Sequence, residues 1–156
     1  MNKAEQYSAV HSQIMAVLDG ENNITARMAT VVCLLRDMFG ARYFWTGFYV
    51  VDPLNPAELV VGPYQGTLGC LRIAFGRGVC GLAAASKETQ IVDDVHAHPN
   101  HIACDSNSAS EIVVPVTDAN GALIAVLDVD STELAAFDEV DKVGLERICR
   151  DVFAKI

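Results

Sequence analysis

Residues 111–130, EIVVPVTDANGALIAVLDVD, decide the fold class. Two apolar, β-branched runs are separated by a short polar segment that contains Asn120-Gly121, a dipeptide typical of tight β-hairpins. The sequence therefore predicts two antiparallel strands joined by this turn. In ALIAVLDVD both alternating sets of positions are apolar before the aspartates, which indicates that this strand is covered on both faces.

Three carboxylates are expected on one face of this hairpin. Because side chains alternate along a strand, a two-residue loop places Glu111 opposite Asp130, and a four-residue loop places it opposite Asp128. All three acids share a face in both cases, and only a loop with an odd number of residues breaks the arrangement. Acids beside an apolar core repel one another and are poorly solvated, so we expect at least one raised pKa or a cationic partner. The alternative is that they lie at the frayed rim of the sheet and face water.

Helical and strand patterns surround the hairpin. Helices are predicted over residues 2–18, from Asn23 to Gly40, and after Asp138, from apolar residues at helical spacing and from capping residues. Further strands are predicted in RYFWTGFYVV, AELVVGPYQG, the start of LRIAFGRGVCGLAAAS, and TQIVDD. This order predicts an α+β fold in one domain over residues 1–156, a central antiparallel sheet of about six strands with helices packed on it. A Rossmann fold is excluded because strands and helices do not alternate.

The overall charge restricts the partners. The chain has 156 residues and a net charge of −9. Nucleic acid and anionic membranes both need a basic surface, so neither is expected as a partner. No segment resembles a membrane span, and the N-terminal residues lack a signal-peptide pattern. We therefore expect a cytoplasmic protein with reduced thiols.

The five cysteines fall into two groups. Cys33 and Cys149 lie in amphipathic helical patterns and are predicted to be packing residues. Cys70, Cys80 and Cys104 lie among glycine, serine and aspartate residues. They lack CxxC spacing, which argues against a zinc ribbon.

Cys104 lies in a long segment, residues 93–110, that shows no periodicity. Loops of this length in compact domains are usually functional or disordered. A metal site formed by His98, His101 and Cys104 is an alternative, although Pro99 and the loop composition disfavour the helical turn that it needs. We expect no metal and no other cofactor.

The surroundings of Cys104 suggest a reaction in which the substrate is activated by a proton. A nucleophilic cysteine usually has a cationic neighbour that lowers its pKa, and here the nearest candidate is His101 among mostly acidic residues. Sulfoxide reduction suits this setting, because a thiolate attacks sulfur while a carboxylic acid of raised pKa protonates the departing oxygen. A second cysteine then converts the sulfenic acid to a disulfide, which an external dithiol reduces.

An apolar pocket is suggested on the aromatic strand. Trp45 and Tyr49 flank Gly47 on one face of this strand. The missing side chain of Gly47 leaves a notch between two flat rings. Ordinary core packing is the alternative for such an aromatic pair.

Six strings, in order from Trp45 to Lys142, resemble a known family: WTGFYV, GPYQG, GRGVCG, CDSNSASEIVVPV, LDVDS and FDEVDK. The family is that of the free methionine-(R)-sulfoxide reductases, which are single GAF-type domains. The resemblance implies a GAF-like fold and an enzyme that reduces free L-methionine (R)-S-oxide, not the residue within a protein. It also implies thioredoxin as the reductant, a role under oxidative stress, and a homodimer.

The resemblance further implies roles for individual residues. Cys104 matches the attacking cysteine and Cys70 the resolving one, while Cys80 matches a third cysteine whose assignment as attacker or resolver differs among family members. Trp45 and Tyr49 match the aromatic walls at the methyl end of the substrate. The remaining matches are the acids that hold or protonate the substrate, namely Glu111, Asp128 and Asp130.

Two other classes of function remain open from the sequence. A non-catalytic GAF sensor would bind a small ligand or report the redox state, but such domains usually belong to longer chains with an output module. An acidic pocket also suits cyclic nucleotides poorly. A Cys/His metalloenzyme would contain stoichiometric zinc or iron.

Overall fold

A computed structural model describes residues 1–99 and 106–156 of the chain. Within these ranges the helices and strands follow in this order: α1 Lys3–Val17, α2 Ile24–Phe39, β1 Trp45–Asp52, β2 Asn55–Gln65, β3 Arg72–Ala74, α3 Gly78–Ser86, β4 Gln90–Val92, β5 Ser110–Thr117, β6 Leu123–Ser131 and α4 Glu139–Phe153. Short 3-10 helices cover Gly40–Arg42 and Val95–Ala97. None of the helices in the described ranges has the length and apolar character needed to cross a membrane.

The six strands form one sheet in the order β3-β2-β1-β6-β5-β4. Every neighbouring pair is antiparallel. Neighbours in the sheet are also consecutive along the chain, except that β6 inserts beside β1. The predicted α+β fold with a six-stranded antiparallel sheet is confirmed, and β1 and β6 lie at its centre.

Apolar side chains cover both faces of the sheet. On one face, α1, α2 and α4 pack on a core that includes Phe48, Ile112 and Leu127. On the other face, α3 packs on a second core that includes Val113 and Val126. β5 and β6 thus bury both of their alternating sets of side chains, as the apolar pattern of β6 predicted. We call the second face the α3 face.

The turn of the β5–β6 hairpin differs from both predicted loops. The N–H of Asp118 donates to the C=O of Ala122, so the loop contains the three residues 119–121. Gly121 occupies the last loop position at φ +80°, a left-handed conformation that glycine adopts without strain. A three-residue loop alone would place Glu111 on the face opposite to the two aspartates.

A β-bulge next to the turn restores the predicted arrangement. The pairing shifts by one residue between the turn and the rest of the hairpin, because Ile124 of β6 has no partner on β5. Beyond this bulge Glu111 lies opposite Asp130, and Val113 lies opposite Asp128. The prediction that the three acids share a face is therefore confirmed. The three-residue loop and the bulge each shift the pairing by one residue, and the two shifts cancel.

The helices begin at the predicted capping residues. The side chain of Asn23 accepts a hydrogen bond from the N–H of Ala26 at the start of α2. The side chain of Asp138 accepts from the N–H groups of Val140 and Asp141 at the start of α4. Such bonds satisfy N–H groups that have no partner within the helix.

A buried ionic network joins α1 to α4. The carboxylate of Asp141, which has no exposed surface, accepts a hydrogen bond of 2.6 Å from the Tyr7 hydroxyl. It also forms ion pairs of 2.8 Å with Lys3 and 3.3 Å with Arg42. A short hydrogen bond links the hydroxyls of Tyr7 and Tyr43. This buried carboxylate therefore has cations that offset the cost of removing it from water.

One of the two packing predictions for cysteines is wrong. Cys149 is buried on α4, as expected, but Cys33 is exposed on α2. The buried stripe of α2 runs through Met28, Val31 and Leu35. Cys33 lies to one side of this stripe and points away from the core.

Candidate active site

The three predicted carboxylates lie together on the α3 face. Glu111 lies opposite Asp130 across the hairpin, and Asp128 lies two residues away along β6. β1 extends the same surface, because Trp45 pairs with Asp130 and Gly47 pairs with Asp128. Glu111 and Asp128 are each only 5% exposed, so these acids do not face water at the rim of the sheet.

Helix α3 brings a thiol to this surface. A Cβ on Gly81 would lie 2.4 Å from the carbonyl oxygen of Ala74, so glycine is required for α3 to pack this closely on β3. Cys80 precedes this glycine and reaches the acids. One ligand atom from each of Cys80, Glu111 and Asp128 lies within 4.8 Å of the other two.

The acids act on one another through their charges. Glu111 is close enough to Asp128 and Asp130 for its charge to act on both carboxyl groups. Burial, and then the charge of Glu111, raises the pKa of Asp128 well above its ordinary value. Burial, and then the charge of Asp128, likewise raises the pKa of Asp130. The prediction that at least one of these acids has a raised pKa is therefore confirmed.

Cys80 is a buried free thiol. Burial, and then the charge of Asp128, raises its pKa, so the neutral thiol is favoured over the thiolate. Its sulfur atom lies within 4.8 Å of a carboxylate oxygen of Asp128. Cys80 is therefore a poor nucleophile in this environment.

One buried oxygen atom of the site is unsatisfied. Oδ1 of Asp128 lacks a hydrogen-bond partner among the residues that the structure describes. Asp128 takes part in none of the ion pairs that the structure shows between described residues. An N–H donor with a positive charge would satisfy this atom and reduce the repulsion among the carboxylates.

Trp45, Tyr49 and Tyr64 form an aromatic wall beside the acids. The ring centroid of Trp45 lies 5.4 Å from that of Tyr49 and 5.0 Å from that of Tyr64, with interplanar angles of 14° and 19°. The charge of Asp128 raises the pKa of Tyr49, after the larger effect of burial, which places this ring next to the acids. Tyr64 is absent from the predicted set; its position opposite Gly47 on β2 is the signal that could have identified it.

The space above Gly47 is filled, in contrast to the expected notch. A Cβ at this position would lie 2.2 Å from Cβ of Tyr64 and 2.8 Å from Cη2 of Trp45. Trp45 and Tyr49 are only 4% and 2% exposed. Gly47 thus allows the rings to pack directly on the strand.

Of the other two central cysteines, Cys70 belongs to the described residues and Cys104 does not. Cys70 is half-buried in the connection between β2 and β3 and is disulfide-bonded. Cys104, the predicted nucleophile, lies outside the described residues. His101 of the alternative metal set also lies outside them, so that alternative stays untested.

Known proteins resemble this chain over nearly its whole length. The family model of the GAF domain matches residues 23–154. The free methionine-R-sulfoxide reductases of Escherichia coli and Saccharomyces cerevisiae are 41% and 38% identical to the chain; the matches cover 95% and 96% of it and 87% and 85% of those proteins. The X-ray structure of free methionine-R-sulfoxide reductase from Neisseria meningitidis in complex with its substrate has a TM-score of 0.92 at 47% identity, covering 97% of this chain and 89% of that one. The chain therefore belongs to the GAF-domain family and, within it, to the free methionine-R-sulfoxide reductases, as its sequence motifs predicted.

Proposed function

We propose that this chain reduces free L-methionine (R)-S-oxide to L-methionine by a thiol-dependent reaction. The group formed by the buried Glu111 and Asp128 and the half-buried Asp130 supports this function most directly. It combines carboxyl groups of raised pKa with an oxygen atom that lacks a partner among the described residues. The relatives named above support the same substrate. The group has the properties that sulfoxide reduction needs, namely a proton donor and a binding site for a cation.

A free amino acid complements the charge of the site. Its ammonium group would reduce the repulsion among the acids and would donate a hydrogen bond to Oδ1 of Asp128. The methyl end of the substrate would lie against the aromatic wall of Trp45 and Tyr49. A methionine sulfoxide residue within a protein has an amide in place of this ammonium, so the site should select the free amino acid.

The proposed chemistry has three steps. The thiolate of Cys104 attacks the sulfoxide, while a protonated carboxyl group of Asp128 or Asp130 donates its proton to the oxygen. The S–O bond of the substrate breaks and the protonated oxygen passes to the Cys104 sulfur, which becomes a sulfenic acid, while the substrate sulfur gains two electrons and leaves as methionine. The thiol of Cys70 then attacks the sulfenic sulfur, which releases water and forms a Cys104–Cys70 disulfide. An external dithiol, for which thioredoxin is our candidate, reduces this disulfide by exchange.

Cys80 is less suited than Cys104 to the attacking role and less suited than Cys70 to the resolving role. Its raised pKa keeps it protonated among carboxyl groups. The disulfide-bonded state of Cys70 supports a redox role for that residue. We therefore assign the resolving step to Cys70, and Cys80 stays a protonated thiol beside Asp128.

The proposal retains the remaining expectations from the sequence. These are a single domain over residues 1–156, a homodimer, a cytoplasmic location, a function under oxidative stress, and catalysis without a metal or other cofactor. Elemental analysis of the purified protein tests the last of these.

A thioredoxin-coupled assay that follows NADPH consumption tests the function. We expect turnover of free methionine (R)-sulfoxide and little turnover of the S form or of a peptide-bound sulfoxide. Cys104→Ser should abolish turnover, whereas Cys33→Ser, at an exposed position, should not. Full activity of Cys104→Ser contradicts the proposed role. Tight nucleotide binding in calorimetry without any turnover would instead favour a sensor.

A further inference from the structure

The loop that contains Cys70 is attached to the aromatic wall. This loop, residues 66–71 between β2 and β3, is called the Cys70 loop here. The indole N–H of Trp45 donates a hydrogen bond of 2.9 Å to the carbonyl oxygen of Thr67. The hydroxyl of Tyr49 lies against the same loop, because a Cβ on Gly69 would lie 3.2 Å from its oxygen atom. Each of the two aromatic residues therefore contacts the backbone of the loop at a different point.

Gly69 makes this attachment tight. A Cβ on Gly69 would lie 2.8 Å from Cζ2 of Trp45 and 3.2 Å from the hydroxyl oxygen of Tyr49. The indole ring also approaches β1 closely, because a Cβ on Gly47 would lie 2.8 Å from Cη2 of the same ring. The ring thus packs against the backbones of both β1 and the Cys70 loop, so a side chain at position 69 must displace the loop or the ring.

The same aromatic residues lie next to the acids. Trp45 pairs with Asp130 across β1 and β6. Tyr49 is close enough to Asp128 and Asp130 for their charges to act on its hydroxyl. The hydroxyl of Tyr49 therefore lies near both the Cys70 loop and the acids at which we propose that the sulfoxide is reduced.

We propose that Trp45 and Tyr49 are positioning residues for Cys70, and that their contacts with the Cys70 loop set the rate of disulfide formation. The inference rests on the proposed function and on Cys70 as the resolving cysteine. In the step concerned, the Cys70 thiol attacks the sulfenic sulfur of Cys104, an S–S bond forms, the S–O bond breaks, and the oxygen leaves as water. Such a step depends steeply on geometry, and a displacement of about 1 Å costs roughly a hundredfold in rate.

Gly69→Ala tests this inference, with Leu68→Ala as the matched control. Leu68 belongs to the same loop, and its side chain is 77% exposed. The full-length protein is reduced, mixed with one equivalent of free methionine (R)-sulfoxide without reductant, and quenched at successive times. Two quantities are measured: methionine released per chain, and disulfide formed, by alkylation and mass spectrometry. Dimedone traps any sulfenic acid that persists.

For Gly69→Ala we expect methionine release at the wild-type rate, disulfide formation about tenfold to a hundredfold slower, and dimedone labelling of Cys104. Leu68→Ala should match the wild type in both steps. Trp45→Phe keeps an aromatic ring but removes the N–H donor, so disulfide formation should slow more than methionine release. If Gly69→Ala does not fold, Trp45→Phe tests the inference in its place. Disulfide formation at the wild-type rate in both variants, or equal slowing of both steps, overturns the inference. Failure of the wild-type protein to release methionine instead overturns the proposed function.

Discussion

Asp128→Asn should stabilise the folded protein and impair its proposed activity. Asn has nearly the same shape as Asp but carries no charge, so the substitution removes a buried ionisable group without leaving a cavity. Asp128 is 5% exposed, and its pKa is raised by burial and by the charge of Glu111. A carboxyl group whose pKa is higher in the folded than in the unfolded state favours folding at low pH. That contribution is lost as the pH rises from the unfolded value, near 3.8, through the raised folded value.

The magnitude follows from the size of the pKa shift. Each unit by which the folded pKa exceeds the unfolded pKa corresponds to about 1.4 kcal/mol. Because the pKa of Asp128 is raised well above its ordinary value, Asp128→Asn should increase the free energy of unfolding at pH 8, by on the order of 1 kcal/mol for each pH unit by which that pKa is raised. Near pH 4 the variant and the wild type should have similar stability. If this carboxyl group binds the ammonium or donates the proton, kcat/KM should fall by about a hundredfold to ten-thousandfold.

Urea unfolding between pH 4 and pH 8 measures the first effect, and the coupled sulfoxide assay measures the second. Asp19→Asn is the control, because it removes an aspartate at an exposed position and changes the net charge equally. That variant should resemble the wild type in both measurements. Our account of the site is refuted if Asp128→Asn is no more stable than the wild type at pH 8, or if it retains full activity.

Three further predictions concern stability and are measured by urea unfolding. Asp141→Ala should cost about 3 kcal/mol or more, since it removes a fully buried acceptor from the Tyr7 hydroxyl and from two half-buried cations, Lys3 and Arg42; a loss below 1 kcal/mol would contradict the ionic network. Gly81→Ala should cost about 1–3 kcal/mol because its Cβ would lie 2.4 Å from the carbonyl oxygen of Ala74, and an unchanged midpoint would argue against this close packing. Asn23→Ala should cost about 1 kcal/mol through loss of the N-cap of α2, whereas Asn23→Ser should largely preserve it.

The sequence was sufficient for the fold class, because that depends on periodicity and on local signals. Alternation predicted the strands, and Asn23 and Asp138 marked the starts of two helices. The common face of Glu111 and Asp130 was also predicted, but the loop between their strands has three residues and the bulge at Ile124 compensates for it. Alternation cannot reveal such a pair of offsetting irregularities, because each one is set by local backbone geometry.

Contacts between distant parts of the chain were harder to predict. The notch expected at Gly47 is filled by Tyr64 and by the ring of Trp45, because β2 lies beside β1 in a register that the sequence does not specify. Cys33 lies outside the buried stripe of α2 although its neighbours are apolar. In both cases the burial of the residue depends on packing against other helices and strands. The local sequence pattern predicts that packing only approximately.

Asp141 and Asp128 are both buried carboxyl groups, but their neighbours among the described residues carry opposite charges. Asp141 contacts Lys3 and Arg42, whereas Asp128 contacts Cys80 and other acids. A positive group that enters with a ligand would therefore increase the ligand's affinity and, by linkage, shift the neighbouring carboxyl groups toward their ionised forms. Binding of a free amino acid through its ammonium group should consequently release protons into the buffer, and calorimetric titrations in buffers of different ionisation enthalpy would detect that release.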